Sequence, residues 1–141
     1  MAGKRQELSD DECRRLVAAA DVGHLAFTRD ALPALAPVRF AVDGDRVAVP
    51  VHPGDEHLVL GRGAVVVLGV DQFDGEHGWA VSVVGPARSV TDPAAVGVWD
   101  AAGWTVDPVP GDGHGYVVLH ATVVRGWRTP TAPLPLDRRP A

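Results

Sequence analysis

One segment of this 141-residue chain, residues 34–58, constrains the fold more than any other. It begins with an apolar run over residues 36–42, passes through the turn Asp43-Gly44-Asp45, and returns through a second apolar run over residues 47–51. Two apolar runs joined by a short turn with a central glycine predict a β-hairpin. The segment therefore favours an antiparallel sheet whose neighbouring strands follow one another along the chain.

A polar loop follows the hairpin and opens a short predicted helix over residues 56–61. Helix N-termini bind anions readily, because the N–H groups of the first turn are unpaired and the helix dipole is positive there. Here the loop carries Asp55 and Glu56, where Lys, Arg, Ser or Thr would suit a phosphate. The backbone pattern therefore favours an anion site, whereas the side chains oppose one.

Composition narrows the classes of function. Hydrophobic residues make up 46% of the chain and charged residues 22%, which is ordinary for one soluble domain. The net charge of −5, without clustered Lys or Arg, makes nucleic acid and anionic membranes poor partners. No apolar run approaches the roughly 20 residues of a membrane span. Cys13 stands alone and the N-terminus does not look like a secretory signal, so we expect a cytoplasmic protein.

Helical spacing and strand alternation predict the other elements. Ser9 and Glu12 form a capping box that starts a helix running to about Ala20. A second helix is predicted over residues 92–102. Residues 63–70 are apolar throughout, which is typical of a strand buried on both faces. Strands are predicted over residues 22–28, 32–43, 46–51, 63–70, 78–91 and 116–127. Six strands joined mostly by hairpins, with three small helices, predict a barrel or an α+β sheet that closes on itself.

Over residues 8–128 the chain resembles the pyridoxamine 5′-phosphate oxidase-like, flavin-binding split β-barrel family. The segments that carry the resemblance are LSDDEC at 8–13, VGHLA at 22–26, LPALAPVRFAVDGD at 32–45, GWAVSVVGPA at 78–87 and the closing strand. The resemblance implies a mainly β (α+β) fold: a homodimeric six-stranded split β-barrel with small flanking helices. The barrel would comprise residues 9–128, between an N-terminal arm (1–8) and a proline-rich tail (129–141).

The resemblance also implies a cofactor. Members of the family bind flavin mononucleotide (FMN), or sometimes the deazaflavin coenzyme, in grooves between protomers, and some bind haem. The flavin phosphate is held where the third strand ends, at positions that here are Pro50, Val51, Asp55 and Glu56. Close relatives have Arg-Thr and Thr-Lys pairs at those positions. Because charge-assisted contacts are the strongest phosphate anchors, carboxylates there would weaken binding.

Two further residues are cofactor candidates alongside Val51 and Asp55. Arg39 stands where relatives have an asparagine. It would either face the groove and bind an anion, or Asp55 and Glu56, or pair with Asp43, Asp45 or a carboxylate of the partner. By resemblance, Trp79 lies near the partner's flavin ring, and its simpler alternative is an aromatic residue of the core or of the dimer interface.

Candidate catalytic residues are His52, Glu56 and His57, because the loop that carries them borders the expected groove and such side chains exchange protons. Exposed loop side chains are the simpler alternative. His52, His57 and His77 could together form a metal site. His52 and His57 are five residues apart, however, which does not suit a helical metal pair, and we therefore expect no metal.

Two functions remain open, beside a third alternative, a purely structural or regulatory dimer. The first is an FMN- or deazaflavin-dependent oxidoreductase that acts on a small organic molecule. The second is a cofactor-free member of the same scaffold, whose groove binds a small molecule or performs acid–base chemistry such as cyclisation, dehydration or isomerisation. The resemblance favours the first function, and the acidic loop favours the second. In both, the expected partners are a second copy of the chain and a small-molecule ligand.

Overall fold

A computed structural model describes residues 5–55, 63–102 and 113–129, and the predicted helix over residues 56–61 lies outside these ranges. The described residues form nine strands and two helices. The helices are α1 (Asp10–Ala18) and α2 (Pro93–Asp100). The strands are β1 (Gln6–Glu7), β2 (Val22–Arg29), β3 (Leu32–Arg39), β4 (Ala41–Asp43), β5 (Arg46–Val51), β6 (Ala64–Asp74), β7 (His77–Val90), β8 (Gly115–His120) and β9 (Val123–Arg128).

All the strands belong to one antiparallel sheet in the order β3-β2-β6-β7-β8-β5-β4, with β9 also paired to β7 and β1 paired to β9. The predicted mainly β fold of the split-barrel type is confirmed. Two of the six predicted strands are divided, the second at Phe40 and the last at Ala121–Thr122, and the two-residue β1 is added. The hydrophobic pattern continues across both breaks, so periodicity alone does not reveal them.

The predicted hairpin is β4–β5, and β5 has the predicted bounds Arg46–Val51. Gly44 adopts a φ of +60°, which its missing side chain permits, and the Arg46 guanidinium contacts the Asp43 carboxylate across the turn at 2.7 Å. β5 then pairs with β8 along its whole length. The hairpin thus delivers the loop after Val51 to one end of the sheet.

Two hydrophobic cores lie on opposite sides of this sheet. The main core fills its inner face and includes the fully buried Phe40, Leu25 and Leu68. The second core lies on the other side of β5 and β8, where α2 covers it with Val96 and Trp99. β5 and β8 are therefore the strands buried on both faces.

β6, in contrast, is buried on one face only. Val66, Leu68 and Val70 point into the main core, whereas Val65 is 64% exposed on the outer face. The prediction that this apolar run is buried on both faces is wrong for the single chain, because neither described helix covers the outer face of β6.

α1 closes one end of the barrel. As predicted, the Ser9 hydroxyl oxygen accepts the N–H of Glu12 at 3.2 Å, and the Glu12 carboxylate accepts the N–H of Ser9 at 3.1 Å. Cys13 and Val17 then enter the main core. Arg14 contacts Asp45 at 2.7 Å, which ties the helix to the β4–β5 turn.

Candidate functional site

The end of β5 and the loop after it are where the sequence predicts phosphate binding. Val51 packs against the main core, and Pro50 is buried beside Tyr116. The loop closes on itself: the N–H of His52 donates to the Asp55 carboxylate at 3.1 Å, and the N–H of Asp55 donates to the His52 carbonyl at 2.9 Å. The Asp55 carboxylate thus stabilises the turn. Its assignment and that of Val51 to the cofactor stay predictions.

Of the three catalytic candidates, only His52 lies within the described residues. His52 lies at the end of β5, close to a second histidine described below. Glu56 and His57 lie outside the described residues. The roles predicted for all three side chains therefore stay predictions.

Arg39 is exposed at the end of β3. Two of its predicted partners are engaged elsewhere, since Asp43 contacts Arg46 and Asp45 contacts Arg14, each at 2.7 Å. Within residues 5–55, 63–102 and 113–129, no carboxylate lies within ion-pairing distance of Arg39. Its guanidinium is therefore available to an anion. The predicted role of Arg39 in binding an anion stays a prediction.

Trp79 is half-buried near the start of β7, where it pairs across the strands with Arg128. It shares the inner face with Val81 and packs against the main core. The next residue, Ala80, points to the outer face. The simpler role predicted for Trp79, as an aromatic residue of the core, fits these contacts. The predicted role of Trp79 beside a flavin ring stays a prediction.

A buried polar cluster at the end of α2 is not evident from the sequence. One carboxylate oxygen of Asp100 accepts the Tyr116 hydroxyl at 2.6 Å and lies 2.8 Å from Nε2 of His114. His114 is only 8% exposed, and its ring lies 6.1 Å from the ring of His52. Three separate elements supply these side chains. The one sequence signal is a polar residue, His114, directly before a strand that is otherwise apolar.

Tyr116 makes the free energy of unfolding depend on pH in the alkaline range. Burial, together with the hydrogen bond to Asp100 and the charge of that carboxylate, raises the pKa of the Tyr116 phenol well above its ordinary value. Below about pH 10 the phenol is neutral in both the folded and the unfolded chain. At higher pH it ionises more readily in the unfolded chain, so the free energy of unfolding falls as the pH rises.

Tyr116 is the only tyrosine, so tyrosinate absorbance reports on it alone. In an alkaline titration, we expect this absorbance to rise together with the loss of the circular dichroism signal rather than before it. Tyr116→Phe should reduce the alkaline loss of stability without abolishing it, because burial also raises the pKa of Cys13. Tyrosinate that forms near about pH 10 in a folded chain would contradict the buried position.

A cavity of about 470 Å³ lies on the outer face of β6, β7 and β9. We call it the outer trough. Its floor is made of three small residues. Gly69 of β6 pairs with Ser82 of β7, and Ala80 lies two residues from Ser82 on the same face of β7. A Cβ built on Gly69 would meet only the His24 carbonyl, at 3.8 Å, so the space above this glycine is open. The lining residues are Glu7, Gly69, Val70, Asp71, Ala80, Val81, Ser82, Arg125, Gly126 and Trp127.

Trp127 forms an aromatic wall of the outer trough and is held from two sides. The Arg5 guanidinium lies 3.9 Å from the centre of its ring, and Phe73 packs against it at 5.8 Å between ring centroids. Arg125, on the same face of β9, adds a cation to the trough. The trough thus combines a flat floor, an aromatic wall and a guanidinium, which suits a planar, polar-edged ring.

A volume of this size is typical of small-molecule sites. In the described part of the chain, no three His, Cys, Asp or Glu side chains are placed to hold a metal ion. None of the helices in the described ranges has the length and apolar character that crossing a membrane requires.

Two solved structures with the same fold are FAD-binding proteins. A FAD-binding protein from Mycobacterium smegmatis is 26% identical with a TM-score of 0.70, and the match covers 88% of this chain and 98% of that one. A FAD-binding protein from Mesorhizobium loti is 20% identical with a TM-score of 0.69, and the match covers 89% and 97% of the two chains. The second likeness shows the fold alone.

An uncharacterized protein of Mycobacterium tuberculosis is 39% identical over 97 residues, which cover 64% of this chain and 64% of that protein. The match thus spans just under two thirds of this relative's length. The profile of one family, described as pyridoxamine 5′-phosphate oxidase, matches residues 9–114. These residues include the barrel strands from β2 to β7 and both helices. The chain therefore belongs to the pyridoxamine 5′-phosphate oxidase-like family.

Proposed function

We propose that this protein is a flavin-binding oxidoreductase that acts on small organic molecules as a homodimer. The observation that carries the proposal is the outer trough, an open cleft with a small-residue floor and an aromatic wall, in a chain whose family relatives include FAD-binding proteins. A bound flavin would supply hydride or electron transfer. The protein's part is to bind and orient the flavin and its substrate.

The residues of the trough fit an isoalloxazine ring. Gly69, Ala80 and Ser82 leave room for a flat ring to approach the sheet, and Trp127 offers an aromatic surface. Ser82 and Arg125 can donate hydrogen bonds to the carbonyl oxygens of such a ring. The acidic residue Asp71 at the rim would repel a phosphate group and so favours a pose in which the charged tail points away from it.

An apolar row next to the trough supports the homodimer. Five residues pair in sequence across the outer face, from β3 through β2, β6 and β7 to β9: Leu35, Ala26, Val67, Val84 and Val123. Leu35 is 68% exposed in the single chain. Contiguous exposed apolar surface of this kind marks association sites. A second copy seated on this row would close the trough from above.

Val67→Asp should therefore yield a monomer in sedimentation analysis, because association would bury an unpaired carboxylate. The matched control is Val98→Asp on α2, where the valine is exposed and does not belong to the apolar row. We expect this control to remain a dimer. A wild-type protein that is monomeric at all accessible concentrations would refute the association.

The flavin proposal is tested by titration with FMN, FAD and the deazaflavin coenzyme, followed by fluorescence of the ring and absorbance of the purified protein. We expect binding in the micromolar range. Gly69→Val fits the sheet but fills the floor of the trough, and should weaken binding by about tenfold or more. Thr28→Val places the same side chain on the outer face outside the trough and should leave affinity unchanged.

A protein that is colourless as purified and binds none of these cofactors at saturation would refute the proposal. The cofactor-free alternative, with acid–base chemistry at the loop after β5, would then be favoured. The choice of FMN over FAD is decided by the same titration.

A further inference from the structure

A second groove, of about 330 Å³, lies between α1 and the sheet. We call it the α1 groove. It is lined by Leu8, Glu12, Arg15, Leu16, Trp79 and Arg128. Trp79 and Arg128 point to the inner side of the sheet, whereas their neighbours Ala80 and Trp127 belong to the outer trough. The two cavities therefore lie on opposite faces of the same strand pair, and the α1 groove is separate from the proposed flavin site.

The charges of the α1 groove are unbalanced. Arg15 and Arg128 are exposed, and neither makes an ion pair with any residue of the described ranges. The single carboxylate, that of Glu12, already accepts hydrogen bonds from the N–H and the hydroxyl of Ser9. Those bonds, and to a lesser extent the charges of Arg128 and Arg15, lower the pKa of Glu12. Two guanidinium groups thus face one carboxylate that is already bonded.

The walls of the groove are apolar and flat. The half-buried Trp79 provides an aromatic face, and Leu8 and Leu16 line the groove beside it. Guanidinium groups bind carboxylates in a planar, bidentate manner, and an aromatic face next to them suits a flat hydrocarbon body. From this combination, we infer that the α1 groove binds a small organic carboxylate with a flat apolar body, with its acid group between Arg15 and Arg128 and its body against Trp79.

The test uses 1-naphthoate as the probe and its uncharged amide, 1-naphthamide, as the matched ligand. Binding is followed by the indole N–H resonance of Trp79 in two-dimensional NMR spectra, assigned by its loss in Trp79→Phe. We expect a saturable shift with naphthoate and an affinity about tenfold lower for the amide, because the amide lacks the charge. Arg15→Gln and Arg128→Gln should each weaken naphthoate binding by about fivefold to tenfold.

Arg88→Gln is the control variant, since Arg88 is an exposed arginine of β7 outside the groove, and it should leave the affinity unchanged. The inference is overturned if Trp79 shows no saturable shift at millimolar naphthoate, if the amide binds equally well, or if Arg88→Gln has the same effect as the groove variants. The titration is repeated with saturating FMN. If FMN binds, an unchanged naphthoate affinity supports a separate site, and competition between the two ligands refutes it. If FMN does not bind, the flavin proposal fails, and the naphthoate titrations alone decide the inference.

Discussion

Gly85→Ala is expected to lower the free energy of unfolding by about 3 kcal/mol or more, a large fraction of the roughly 5–15 kcal/mol that is typical of a folded domain. Gly85 lies where β7 changes partners, because residues 79–84 of β7 pair with β9 and residues 87–90 pair with β8. A Cβ on Gly85 would overlap the carbonyl oxygen of His120 and lie 3.1 Å from the backbone nitrogen of Thr122. Backbone atoms cannot rotate away as a side chain can, so the whole corner must shift.

That shift would also disturb the hydrogen bond from the N–H of Thr122 to the carbonyl of Val84, which is 2.8 Å long. The measurement is urea-induced unfolding followed by circular dichroism. Gly97→Ala serves as the control, because its Cβ would meet open space on α2 and alanine favours a helix by roughly 1 kcal/mol. A wild-type unfolding midpoint for Gly85→Ala would show that the corner is not packed as described.

Phe40→Ala is the other substitution with a large expected effect, a loss of about 3–5 kcal/mol in the free energy of unfolding. Phe40 is fully buried (0% exposed) between β3 and β4, and its N–H donates to the carbonyl of Asp21 at 3.0 Å. Removal of the ring leaves a cavity that the surrounding strands cannot fill, since each is fixed by its sheet partners.

The matched control is Phe73→Ala, in which a phenylalanine that is 50% exposed near the end of β6 is truncated in the same way. Its expected cost is below about 1 kcal/mol, because the side chain is half exposed and packs against Trp127 at the surface. Equal losses for the two variants would mean that Phe40 does not occupy the centre of the core.

Local signals in the sequence predicted the local structure well. The Ser9–Glu12 capping box and the Asp43-Gly44-Asp45 turn are both present, because each depends on residues three or fewer positions apart. The break at Phe40 was not predictable, since it interrupts the hydrogen-bond ladder and leaves the apolar pattern intact. The burial of β6 was misjudged for a related reason: an apolar run shows that a strand can be buried, but not which neighbour covers it.

The candidate sites depend more on tertiary structure. The resemblance to the family directed attention to the loop after β5, where Asp55 is hydrogen-bonded to His52. The outer trough could not be predicted, because it requires Gly69, Ser82 and Arg125 of three strands to pair in register. The contact of Asp100 with Tyr116 likewise joins a helix end to a distant strand, which no local spacing encodes.

The pairing of β1 with β9 has a consequence for synthesis of the protein. Gln6 and Glu7, near the start of the chain, are held by Arg128 and Trp127, and α1 rests on the same final strand. Contacts so distant in sequence must wait until the last of these residues has left the ribosome. α1 is therefore synthesised well before β9, but it can pack against β9 only after that strand has been made. A nascent chain that ends before β9 leaves the barrel open.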